Sequence, residues 1–159
     1  MNFKKFSLAI ITIFFNFSAK SACPNLEGLY KNCYSTTKKI DGEYKILQSI
    51  EDGIDTYSVE FNDQISGEHR FEKIKTDSEL MIKKEAIPNV GITVKLEFKN
   101  FCENNKVISI GDAYYFGVKV GTFKADISKE DEKLVTTLQL SYLGTETIET
   151  VKCGENLWR

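Results

Sequence analysis

The stretch Ile92-Thr93-Val94-Lys95-Leu96-Glu97-Phe98-Lys99 places an apolar side chain at every even position and a polar one at every odd position. A period of two is that of a half-buried β-strand, with one face toward a core and the other toward water. The same alternation recurs outward in both directions. Tyr57, Val59 and Phe61 alternate with Thr56, Ser58 and Glu60; Leu134, Leu138, Leu140 and Tyr142 stand against Lys133, Thr137, Gln139 and Ser141; Tyr44, Ile46 and Ile50 follow it more loosely. In the run from Tyr114 to Phe123 the apolar face lies on even residues and moves to odd ones after Gly121, which predicts a bulge at that glycine. Beyond residue 22 no long stretch has helical spacing.

Between these runs lie Asp41-Gly42, Asp52-Gly53, Asn62-Asp63, Pro88-Asn89, Asn104-Asn105, Glu130-Asp131 and Gly144, each placed where a hairpin reverses. The connections are too short for crossover helices, so neighbouring strands are antiparallel. Eight strands are expected, rising to ten if 65–87 and 106–127 each divide in two. A meander of this number closes into a barrel or folds into a sandwich. Closure removes exposed edges, and every connection reads as local, so the expectation is all-β: an up-and-down barrel of 8–10 strands, with a β-sandwich as the alternative.

The chain has 159 residues, and its start is an address rather than part of that fold. Lys4 and Lys5 supply a positive head, Phe6 to Phe17 an apolar run, and Ser18-Ala19-Lys20-Ser21 a small-residue cleavage segment. The run is shorter than the roughly 20 residues that cross a bilayer, and Asn16 interrupts it. Lipid attachment at Cys23 is disfavoured by Lys20 three places earlier. The expected organisation is a signal peptide over 1–21 and one domain over 22–159, exported to the periplasm or secreted. Removing the leader leaves 18 basic and 23 acidic side chains, a net charge of −5. That balance, with Arg70 and Arg159 the only arginines, argues against nucleic-acid and anionic-membrane partners.

The four cysteines, Cys23, Cys33, Cys102 and Cys153, have no Cys-x-x-Cys spacing, and His69 alone cannot complete a Cys/His metal set. In an exported chain they read as two disulfides, with all three pairings open, and no metal or other cofactor is expected. His69 is also the only histidine available to a nucleophilic triad, and it stands among charges without a Gly-x-Ser-x-Gly elbow. Carboxylate pairs such as Glu146 with Glu149, or Glu130 with Glu132, are ordinary for this charge content, and Lys129 to Lys133 reads as a solvated turn. The expectation is a protein that is not an enzyme.

Read literally, the alternation turns Tyr57, Phe61, Leu96, Phe98, Tyr114, Phe116, Leu140 and Tyr142 inward. A barrel of this size either holds a small apolar ligand among such side chains or is filled by them. Buried tyrosine hydroxyls need partners, which a ligand or trapped water can provide. Both a pocket and a filled core remain open at this point.

Cys23-Pro24-Asn25-Leu26-Glu27-Gly28-Leu29-Tyr30 resembles the first strand of the calycin superfamily, the lipocalins, fatty-acid-binding proteins and avidins, whose Gly-x-Trp motif opens the barrel. Tyr30 takes the tryptophan's place. The resemblance implies an up-and-down barrel that binds small hydrophobic molecules in its mouth, with Arg159 as the late arginine that covers the opening aromatic. The tryptophans that wall the biotin site of avidins have no counterparts, since Trp158 is the only tryptophan. The functional expectation is an exported lipocalin-like barrel for a small apolar or amphipathic molecule. The alternative is a disulfide-stapled interaction or inhibitor module of the cell envelope, with a filled barrel and a protein partner.

Overall fold

A computed structural model describes residues 23–37, 40–86, 91–142 and 144–155. The leader over 1–21, the Pro88-Asn89 turn and Arg159 lie outside the described residues. Ten strands follow one another: β1 (Gly28–Ser35), β2 (Gly42–Glu51), β3 (Ile54–Asp63), β4 (Glu68–Lys75), β5 (Met81–Ala86), β6 (Thr93–Glu103), β7 (Lys106–Tyr115), β8 (Val118–Glu130), β9 (Lys133–Tyr142) and β10 (Thr145–Glu155). The opening stretch forms the first part of β6, with Val94 and Phe98 buried on its even face.

Among the described residues, four hairpins close through two residues that both carry positive φ: Asp52-Gly53, Asn104-Asn105, Phe116-Gly117 and Asp131-Glu132. That conformation defines the type I′ turn, whose twist matches that of the flanking strands. Asn, Asp and Gly reach it readily, which is why the first two turns are legible in the sequence. The last falls one residue beyond the expected Glu130-Asp131. Near Gly121 the ladder passes from Ala113↔Gly121 to Tyr114↔Lys119, so Val120 is the extra residue and the face changes as the alternation demanded.

All ten strands belong to one sheet in the order β4-β3-β2-β1-β10-β9-β8-β7-β6-β5. The first and last strands pair, antiparallel, at Tyr34↔Lys152 and Ser35↔Val151. This short junction is reinforced by the Cys33–Cys153 disulfide. The sheet curls strongly into a half-barrel, which replaces the expected closed barrel and the alternative sandwich. It stays open because β4 and β5 share no ladder. The link between them is drawn apart: the Thr76 N–H bonds back to the Asp55 carbonyl at 3.1 Å, whereas the Ser78 N–H bonds to the Asn100 carbonyl of β6 at 2.9 Å. Residues 23–27 occupy the base of the gap, tied to β6 by Cys23–Cys102 and to β3 by the Tyr57 hydroxyl, which donates to the Pro24 carbonyl at 2.7 Å.

The core gathers at this base: Leu26, Tyr30, Ile46, Tyr57, Val107 and Leu134 are almost wholly buried beside Cys33–Cys153. Tyr30 donates its hydroxyl to the Leu26 carbonyl at 3.0 Å. Backbone carbonyls therefore satisfy both deeply buried phenols. Away from the base the two halves of the sheet separate, and a space opens between them.

Candidate functional site

That space is a cavity of about 260 Å³ between the inner faces of β2–β4 and β8–β10. Its depth is set by the register. Along one wall Tyr44 pairs with Phe61 and Phe61 with Arg70, while one rung deeper Ile46 pairs with Val59 and Val59 with Glu72. Along the other, Ala125, Leu138 and Glu149 share a rung, and Ile127, Thr136 and Val151 the next. The floor and walls are consequently apolar: Ile40, Val59, Ile74, Ile127, Leu138 and Val151, with the Tyr44 and Phe61 rings 4.6 Å apart.

Polar groups are confined to fixed places. Burial pushes the Tyr44 phenol above its ordinary range, partly offset by a hydrogen bond to Thr136, which links β2 to β9 across the space. At the mouth β4 presents Glu68 and Arg70 and β10 presents Glu149, while Glu72 stands one rung down, on the open edge of the sheet. Arg70 is ion-paired with Glu68, the Lys83 Nζ lies 3.9 Å from Glu72 and 3.3 Å from Glu85, and Ser35 donates to Glu149 at 2.8 Å. An apolar recess with a few placed polar groups at one end is the usual make-up of a small-molecule site, and 260 Å³ is just under the roughly 300–1,000 Å³ such sites span.

Of the eight residues expected inside, only Phe61 lines this cavity. Tyr57 lies below it in the core, its hydroxyl taken by Pro24. Leu96, Phe98, Leu140 and Tyr142 share the inner face farther round the sheet. There Phe98, Gly111, Phe123 and Leu140 form one cross-strand row, and Leu96, Ala113, Gly121 and Tyr142 the next. Phe98 is buried against Phe123, whereas Leu140 and Tyr142 are 42% and 48% exposed.

Two residues depart from the expected face. Tyr114 pairs with Lys95, whose Nζ sits 5.2 Å from the ring centroid on the outer surface. Phe116 is a corner of the β7–β8 turn at φ 49° and is 89% exposed, because the hairpin reverses there instead of continuing as strand. The charged mouth carried no apolar alternation in the sequence. Its only pointer was parity: Glu68, Arg70 and Glu72 are the even neighbours of Ile74.

The cysteines pair as Cys23–Cys102 and Cys33–Cys153, resolving the three open connectivities. Among the described residues no three His, Cys, Asp or Glu side chains gather as metal ligands, and no helix is long and apolar enough to cross a membrane. His69 lies exposed on β4, 3.1 Å from Glu60, and Glu146 bonds to Gln139. Comparison with known protein families and with characterised proteins finds no match to this chain.

Proposed function

We propose that this chain is an exported, lipocalin-like binding protein that takes the apolar part of a small amphipathic molecule between β2–β4 and β8–β10 and performs no chemistry on it. The observation that carries the reading is the cavity itself, apolar at the floor and ionic at the mouth. Burying an apolar chain there releases its hydration water, at about 25 cal/mol per Å², while a polar head remains among Glu68, Arg70, Glu72 and Glu149. Two disulfides suit an oxidising, extracytoplasmic compartment. The Gly28-Leu29-Tyr30 opening and the pairing of β1 with β10 agree with the calycin resemblance.

The test is displacement of a fluorescent fatty-acid analogue from the protein lacking its leader. One saturable site is expected, weakened more than about tenfold, or 1.4 kcal/mol, by Val59→Trp, which fills the floor. Phe116→Ala, on the exposed turn, leaves binding unchanged. Absence of saturable binding across a panel of single-chain amphipaths of either head charge sinks the reading.

A further inference from the structure

The open seam between β4 and β5 leaves two strand edges in one protein. On β4 the alternation of an antiparallel ladder fixes which backbone groups face it. Thr76, opposite Asp55, bonds toward β3, so the even residues of β4 do likewise, and His69, Phe71, Lys73 and Lys75 turn their N–H and C=O groups to the seam. On β6 the Asn100 carbonyl points to the β5 side, so Met81, Lys83 and Glu85 bond toward β6, and Ile82 and Lys84 face the seam.

The same six residues put their side chains on the outer surface, and their chemistry is one-sided. Phe71 and Ile82 are 66% and 63% exposed, and the others are lysines and His69. Every acid of β4 and β5, namely Glu68, Glu72 and Glu85, belongs to the inner face instead. Of the acids on the adjoining outer surface, Glu60 is engaged with His69 and Glu97 with Lys95, and Glu103 stands at the far end of β6. Lys73 holds Glu51 through an exposed pair, and Lys75 and Lys84 have no salt bridge among the described residues.

We propose that this seam receives an extended acidic segment of another protein, which adds to β4 as an eleventh strand. Backbone bonds to residues 69–75 supply the pairing; apolar side chains seated by Phe71 and Ile82, and carboxylates by Lys73, Lys75 and Lys84, supply the selectivity. A second copy of this chain is a poor occupant, since full-overlap edge pairing of β4 with β4 sets Glu72 against Glu72 and seats neither Lys73 nor Lys75 opposite a carboxylate, while slipping it by one pair sets Lys73 against Lys73. The proposal concerns the outer edge and is independent of the cavity.

The test uses the disulfide-intact chain and two peptides, Thr-Val-Thr-Glu-Thr-Glu-Thr-Val and its counterpart with Lys for Glu, followed by amide hydrogen exchange. At ten times its dissociation constant the acidic peptide should slow exchange at Phe71, Lys73 and Lys75 about tenfold, with the Val59 amide unchanged. The lysine peptide should give no protection. Lys84→Glu, on an exposed position, and Lys75→Glu, on a half-buried one, should each weaken the acidic peptide about fivefold. Equal protection by both peptides, protection elsewhere than residues 69–75, Ile82 and Lys84, self-association that protects those amides without peptide, or no protection by the acidic peptide overturns the proposal.

Discussion

Raising the pH should unfold this protein through its buried phenols, Tyr30 and Tyr57 above all. Tyr30 is fully buried and its phenol is pushed up to about 12, chiefly by burial and secondarily by Glu132. Tyr57 is 1% exposed and is raised as well, by burial and then by Asp55. An unfolded phenol ionises near 10, so between about pH 10 and 12 the unfolded chain releases protons that the native state retains. The stabilisation from keeping these phenols neutral is fully present below pH 10 and is lost as pH climbs toward the native values. At pH 11 the linkage amounts to about 1.4 kcal/mol for Tyr30 and a similar amount for Tyr57, or roughly 3 kcal/mol together. With a urea slope of about 2 kcal/mol/M, the unfolding midpoint should fall by about 1.5 M between pH 9 and 11. Urea titrations read by circular dichroism measure this. Tyr30→Phe should lower stability at pH 8 by about 1 kcal/mol, from the lost bond to Leu26, yet flatten the alkaline slope measurably. An alkaline slope unchanged in Tyr30→Phe and Tyr57→Phe would refute the reasoning.

Replacing Cys33 and Cys153 by serine should cost about 4–5 kcal/mol, since the bridge closes a separation of 120 residues, and replacing Cys23 and Cys102 slightly less, for a separation of 79. Denaturant midpoints of the two double variants check both. Gly111→Ala should destabilise by about 1–3 kcal/mol despite alanine's lower chain entropy, because the new Cβ would lie 2.3 Å from the Glu97 carbonyl oxygen and 2.5 Å from the Phe98 Cβ. A thermal melt equal to the parent's would contradict the tight Phe98–Gly111–Phe123 row.

The strands were legible because period two is a local signal: Ile92 to Lys99, Thr56 to Phe61 and Lys133 to Tyr142 each display it within one segment. Turn chemistry marked reversals such as Asp52-Gly53 and Asn104-Asn105, whereas the rise from eight strands to ten rests on the divisions at Phe116-Gly117 and between β4 and β5, which the sequence left open. Closure was not legible. It depends on Ser78 bonding to Asn100 and on residues 23–27 lodging at the base, contacts between segments far apart in the chain. The partners of the buried tyrosines were hidden for the same reason, since Pro24 stands 33 residues before Tyr57. Phe116 was misplaced because its alternation is locally perfect until the chain reverses. The cavity escaped because its mouth is made of charges, which composition assigns to solvent, and because curvature rather than sequence decides which inner-face rows meet across the space.

The central claim is that the space between β2–β4 and β8–β10 receives an apolar chain. Its most direct test is intermolecular NOE measurement on methyl-labelled protein saturated with a single-chain amphipath. Contacts from the ligand chain to the methyls of Val59, Ile74, Ile127, Leu138 and Val151 are predicted. NOEs confined to Leu140, Ile148 and Val118, or none at saturation, would contradict it.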